Sequence, residues 1–170
     1  MTELEYIKVR TSDDKEFTLD FQAFKKSEFI SVMFESYSVD DEYEAPVINV
    51  SSNILAHIDR FLMHYKGKEV EPLRQPLEHK TLHPDDGIPE WDAEFINSFS
   101  DSELYEILNV SNYLGIQSLI MLGCARLALF IKKRTTDKYG KINDEDLKFY
   151  MANGMTREEA EQLSIEAKWA

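Results

Sequence analysis

The sequence predicts an α+β fold, mostly helical, in which a small N-terminal β-sheet packs on helices. Three observations carry this. Apolar-polar alternation of strand type is confined to residues 4–20, and an apolar stripe at helical spacing runs from Ile54 to Tyr65. The stretch from Ile88 to Arg134 then holds two further helix signals, the second apolar almost all the way round. A helix of that kind must be buried, by its own domain or by a partner.

Taken in order, residues 4–10 alternate Leu4, Tyr6 and Lys8 against Glu5, Ile7 and Val9. Beyond Ser12-Asp13-Asp14-Lys15, Phe17 and Leu19 alternate with Glu16, Thr18 and Asp20. This is a β-hairpin whose turn lacks the favoured Asn-Gly or Asp-Gly pair. Phe21 and Phe24 then open a short helical pair, in which Ser27 caps a helix carrying Ile30, Met33 and Phe34. Residues 38–45 hold four acidic side chains and no basic one, the pattern of a solvated loop. Pro46 to Val50 reads as a short strand with proline tolerated at its first position.

Ser51 or Ser52 caps the amphipathic helix of Ile54, Leu55, Ile58, Phe61, Leu62 and Tyr65, which ends at Gly67. Residues 67–90 contain four of the five prolines and read as a long irregular connection. Ser100 and Glu103 fit a capping box, followed by Leu104, Ile107, Leu108 and Ser111 on a core face. Gly115 is placed for the left-handed residue after a helix end. The next helix runs through Leu119, Leu122, Cys124, Leu127 and Phe130 to three cations suited to its C-terminus, Lys132, Lys133 and Arg134. In the tail, Leu147, Phe149, Tyr150 and Met151 form an apolar cluster, and Thr156 with Glu159 repeats the capping-box signal ahead of a last helix through Leu163 and Ile165 to Trp169. That helix, about 13 residues, is marginal alone because nucleation costs more than so few bonds return.

Composition narrows the function classes. With 43% hydrophobic and 30% charged residues, the 170-residue chain has the make-up of a folded domain and not of a disordered one. The net charge of −13 is spread as about −6, −4 and −3 over 1–66, 67–134 and 135–170, so each part is acidic. Nothing here could neutralise a run of phosphates, which disfavours nucleic acid and anionic membranes as partners. The single cysteine, Cys124, allows no intrachain disulfide and fits a reducing compartment. The N-terminus lacks the basic and apolar regions of a signal peptide, and the longest nearly apolar run, Leu119 to Ile131, is too short to span a bilayer. These features lead to the expectation of an intracellular, soluble protein.

Motifs for chemistry are missing. The sequence has no nucleophile elbow, no His-Glu-x-x-His, no dinucleotide fingerprint and no phosphate-binding Gly-Lys-Thr. His79 and His83 are four apart, but they lie in the proline-rich connection with no cysteine near, so no metal site is expected. Cys124, mid-helix among leucines, reads as a small core residue and not a nucleophile. The acidic pairs read as solvated faces and caps. The expectation is a protein that is no enzyme and needs no cofactor.

The order of elements, with several motifs, resembles the Skp family, the adaptor subunits of SCF-type cullin-RING ubiquitin ligases. The resemblance covers nearly the whole chain. Ile88-Pro89-Glu90-Trp91-Asp92-Ala93-Glu94-Phe95 resembles the family's Ile-Pro-x-Trp-Asp-x-Glu-Phe signature, and Asn112-Tyr113-Leu114-Gly115-Ile116 its Asn-Tyr-Leu-Asp-Ile. The tail from Asn153 to Trp169 is similar to the family's ending, with equal spacing from threonine to tryptophan. The resemblance implies a BTB/POZ fold over 1–134, followed by an F-box-binding two-helix extension over 135–170. It implies an adaptor that bridges F-box substrate receptors to a cullin in the cytoplasm and nucleus, and that self-associates weakly when no F-box is bound. Carried over residue by residue, Asn112 and Tyr113 match cullin-contacting positions. Leu119, Leu122, Phe149, Met155, Leu163, Ile165 and Trp169 fall in segments that line the F-box interface, where apolar anchors are needed.

The chain also departs from the family pattern. Gly115 stands where the family has aspartate, and Val110-Ser111 where it has two alanines. A longer Arg134–Glu145 segment without proline replaces the family's Lys-Thr-Pro-Glu-Glu, and the stretch from Asp146 to Asn153 is shorter. These differences imply a diverged member. The alternative reading is a BTB-type scaffold that self-associates, or that binds F-box proteins independently of a cullin.

Overall fold

A computed structural model describes residues 5–35, 44–66, 68, 70–73, 77, 79, 81–135, 151, 155–159 and 162. Strands β1 (Tyr6–Arg10) and β2 (Glu16–Asp20) form an antiparallel hairpin in which Ile7 faces Leu19 and Val9 faces Phe17. The helices that follow are α1 (Phe21–Phe24), α2 (Glu28–Phe34), α3 (Ser52–His64), α4 (Glu90–Asn97), α5 (Asp101–Leu114) and α6 (Gln117–Thr135), with a 3₁₀ turn at Pro84–Asp86 before α4. Two compact units result, Met1–Pro72 with Phe99–Gly123, and Leu73–Ser98 with Cys124–Ala170. Among the described residues no helix is long and apolar enough to cross a membrane. The expected acidic loop over 38–45 lies mostly outside the described residues, as does Gly67.

The hairpin turn closes without glycine. Thr11 exchanges backbone and side-chain hydrogen bonds with Lys15, and Asp14 takes the positive φ (60°) that the turn requires. Aspartate is among the few non-glycine residues that enter this region readily. The expected strand over 46–50 is reduced to one parallel bridge, Arg10 to Val47. Arg10 N–H donates to Pro46 O and Ile48 N–H to Arg10 O, both at 2.8 Å. Beyond Arg10 the first strand bends into its turn, and the one further bond between these segments, Ser12 N–H to Val50 O at 2.9 Å, does not extend the ladder.

In the first unit, α3 packs on α1 and α5, and α2 on α5. The stripe Ile54, Leu55, Ile58, Phe61, Leu62 and Tyr65 is buried as its spacing predicts, together with Ile7, Val9, Leu19, Phe24, Ile30 and Phe34. Met33 is only half-buried. In the second unit the signature stretch supplies buried Ile88, Ala93, Phe95 and Ile96, and the Trp91 ring stacks on Phe95 at 4.9 Å and 9°. Asn97 Nδ2 donates to Leu82 O at 2.8 Å, which ties the proline-rich connection to α4.

The helix ends are satisfied largely by acidic and hydroxyl groups, because the first amides of a helix have no partner within it. Ser51 makes no side-chain cap on α3. That function passes to Asp13 in the hairpin turn, whose carboxylate accepts from Ser52 N–H at 2.8 Å and Ser52 Oγ at 2.6 Å. These two bonds from Ser52 hold the Asp13 carboxyl well below the usual carboxylate range. Asp20 caps α1 through Ala23 N–H at 3.0 Å and pairs with Lys66. Burial alone would raise its pKa, but the Lys66 ammonium and the Ala23 amide outweigh it and the net shift is downward. Ser100 and Glu103 form the expected capping box, and Thr156 with Glu159 forms the second.

Two helix crossings depend on glycine. Gly115 ends α5 at φ 68°, and a Cβ there would stand 2.8 Å from the Cβ of Glu28. Gly123 in α6 lets Leu108 of α5 approach to 2.6 Å of where its Cβ would be. The Ser27 hydroxyl closes the first of these corners: it accepts from Ile30 N–H at 3.2 Å and donates to Leu114 O at 2.6 Å. Ser111, one turn before, is buried, and its Oγ has no hydrogen-bond partner among the described residues.

Two predictions follow from the caps and the corner. Because the folded-state pKa of Asp13 lies below its unfolded value, its contribution is full above about pH 4 and decays as the pH is lowered through the folded value. In urea melts Asp13→Ala should therefore be less stable than the native chain at pH 7, and the gap should close toward pH 2; a gap independent of pH would exclude this origin. Substitutions at Gly115 and Ser111 should act in opposite directions. Gly115→Asp should cost about 1–2 kcal/mol, roughly 2–8 °C in Tm, from positive φ and the Glu28 contact. Ser111→Ala should gain about 1 kcal/mol by removing an unsatisfied buried hydroxyl. Paired denaturation curves that showed both changes with the same sign would refute this account.

Candidate partner-binding surfaces

The C-terminal end of α5 carries the first surface, within the first unit. Asn112 is exposed and Tyr113 is 41% exposed, so the two side chains expected from the family resemblance at a cullin face point outward. The Tyr113 ring rests against Phe29 of α2, with centroids 4.8 Å apart and a tilt of 40°. One turn further along α2, Val32 is 68% exposed, an aliphatic side chain on the face that carries Phe29. The corner at Gly115 holds α2 against the end of α5, and so brings Phe29 beneath Tyr113. Sequence reading missed Phe29 and Val32. The available signal was their spacing of three, off the stripe of Ile30 and Phe34 that enters the core.

The second surface lies along α6. Leu119 and Leu122, expected at the F-box interface, are both buried, as is Leu129. Among the described residues, the apolar side chains that this helix exposes are Met121 (44%), Cys124 and Leu127 (39%), with Ala128 beside them. Their spacing of three puts them on one side of the helix. Cys124 is thus no core residue, contrary to the sequence expectation. An all-apolar helix offers no polar contrast from which its outward side could be read. A row of exposed apolar side chains of this kind is suited to a partner that brings its own apolar face.

Of the tail positions expected to contact an F-box, Met155 is exposed, next to the capped turn at Thr156, and Met151 is exposed as well. Phe149, Leu163, Ile165 and Trp169 lie outside the described residues.

One cluster of metal-capable groups stands together among the described residues, within the second unit: His79, His83 and Asp85. The 3₁₀ turn begun by Pro84 and ended by Gly87 at φ 77° folds Asp85 back beside both rings. The sequence expectation that the two histidines would stand idle overlooked this turn, since a spacing of four converges predictably only in a helix.

Comparison with known proteins agrees with this architecture. Residues 5–67 match the Skp1 family, tetramerisation domain. The chain is 31% identical over 164 residues to the S-phase kinase-associated protein 1 homolog of Tetrahymena thermophila, covering 96% of this chain and 93% of that protein. It is 30% identical to suppressor of kinetochore protein 1 of Schizosaccharomyces pombe, covering 96% of each. It is also 30% identical to the E3 ubiquitin ligase complex SCF subunit sconC of Arthroderma otae, covering 96% of this chain and 93% of the relative. With its small antiparallel sheet packed on helices, its buried signature around Trp91 and relatives matched over almost their full length, the chain belongs to the Skp1 family.

Proposed function

We propose that this protein is the non-catalytic adaptor of an SCF-type ubiquitin ligase, bridging F-box substrate receptors to a cullin. The observation that carries this reading is the exposed apolar row of Met121, Cys124 and Leu127 on a helix that buries Leu119, Leu122 and Leu129. Side chains of this type would be the anchors for an F-box helix, with Met155 and the segments after residue 135 completing the grip. Asn112 and Tyr113, with Phe29 and Val32, would form the cullin face. The SCF subunit named among the relatives supports the same role. In this reading 1–134 is the BTB/POZ part and 135–170 the F-box-binding extension, and the assembly acts in cytoplasm and nucleus.

The adaptor contributes no reacting group. Its effect is on proximity, since holding a substrate and a loaded transfer enzyme in one assembly converts an encounter between separate molecules into an effectively intramolecular one.

Capture assays on the full chain would test the division of faces. Asn112→Ala/Tyr113→Ala should weaken cullin capture at least tenfold, about 1.4 kcal/mol, and retain F-box proteins. Met121→Glu/Leu127→Glu should do the reverse, because a charge cannot be desolvated in an apolar interface without a partner. If each pair lost both partners or neither, the two-face reading would fail. A stable homodimer that F-box peptide leaves intact would favour a self-associating scaffold instead.

A further inference from the structure

The connection ahead of α4 carries a group of side chains that the adaptor role does not use. His79 and His83 stack with ring centroids 4.5 Å apart and 24° between planes. Asp85 Oδ2 lies 3.4 Å from His83 Nδ1 and 4.0 Å from His79 Nε2. One ligand atom from each of the three residues lies within 4.8 Å of the other two. A separate contact bears on the same ring: His79 Nδ1 is 3.0 Å from Oδ1 of Asp86, a carboxylate whose side chain is almost wholly buried. A ring nitrogen beside a carboxylate oxygen carries the proton. The second nitrogen of a neutral His79, Nε2, is then a lone-pair atom, and it is the one turned toward Asp85.

We propose that His79, His83 and Asp85 bind a zinc ion, with Asp86 as the outer carboxylate that orients His79. Two imidazoles and a carboxylate are a zinc donor set, and a carboxylate on the far nitrogen of a ligating histidine is its usual support. Tetrahedral zinc with bonds of about 2.0–2.1 Å needs donors about 3.3 Å apart. The His83–Asp85 pair already has that separation, and the His79–Asp85 pair exceeds it by an amount that side-chain rotation closes. The exposed bond from Asp85 N–H to His83 Nδ1, 3.2 Å, would be exchanged for the metal. Water would take the fourth position. A single divalent cation satisfies both rings and the carboxylate at once. The ion would act as a clip that fixes the backbone from His79 to Asp86, independently of the adaptor reading.

The test is competition for Zn2+ between the full chain and a chromogenic chelator, with Co2+ absorption reporting the geometry. The expected result is one zinc per chain, and a tetrahedral cobalt spectrum. His79→Ala/His83→Ala should weaken binding at least a hundredfold, Asp85→Asn at least tenfold, and Asp86→Asn by about 10–100-fold through His79 alone. His57→Gln/His64→Gln, which alters the other two histidines, should bind as the native chain does. Circular dichroism of the metal-free variants would verify that each is folded. Binding no tighter than about 10 μM, or binding left within twofold by the His79/His83 change, would overturn the proposal.

Discussion

The corner at Leu114 and Gly115 is the constraint on which the first unit depends. Helix α5 can stop there because Gly115 adopts a positive φ without strain, and the returning amide of Ile116 satisfies Ser111 O at 2.9 Å. The carbonyl of Leu114 is left over, and Ser27 Oγ satisfies it from the start of α2. One hydroxyl thus caps one helix and closes another, and its loss would leave two buried backbone groups unsatisfied. The same contact requires Glu28 to pass so close to Gly115 that a side chain at 115 has no room. Direction of α6, seating of α2 and exposure of Tyr113 all follow from that junction.

The acidity of the chain is partly a structural material. Asp13, Asp20, Glu103 and Glu159 each accept from helix-terminal amides, and all four carboxyls are held below their ordinary range. For Asp13, Glu103 and Glu159 the dominant cause is hydrogen bonding from a hydroxyl or amide at the cap. Asp20 differs, since burial opposes its ionisation and the Lys66 ammonium is needed to overcome it. The Asp13 cap also explains how a hairpin turn without glycine is fixed in place: Lys15 bonds Ser52 Oγ at 2.8 Å and pairs with Asp13 at 3.3 Å, so turn and helix end form one network.

The same packing separates side chains that build the fold from those left exposed. The family signature around Trp91 is mainly structural, with Ile88, Asp92 and Phe95 buried. Among the large apolar side chains left exposed are Tyr113 and Val32, and on α6 Met121 and Leu127. Two of the expected departures from the family pattern, Gly115 and Ser111, fall at the α5 corner. Gly115 is accommodated by φ and by the approach of Glu28, whereas Ser111 introduces a buried hydroxyl that nothing among the described residues answers. At this corner the changes affect how the junction is built, while Asn112 and Tyr113 remain exposed.

By itself the sequence determined the features whose physics is local. Both capping boxes, the Ser27 cap, the left-handed Gly115 and the core stripe of α3 were legible because a helix end or an amphipathic face is written within a few residues. The β-hairpin was legible from its alternation. Only the tertiary structure decided which sides of α6 are covered, placing Leu119 and Leu122 inside and Met121, Cys124 and Leu127 outside. It also decided that Asp13 and not Ser51 caps α3, that residues 46–50 form only a bridge, and that a 3₁₀ turn gathers His79, His83 and Asp85. In each of these cases the determining partner is either far away in sequence or held by an irregular turn. An apolar helix, a spare carboxylate or a pair of histidines has no preferred neighbour until the chain around it has packed.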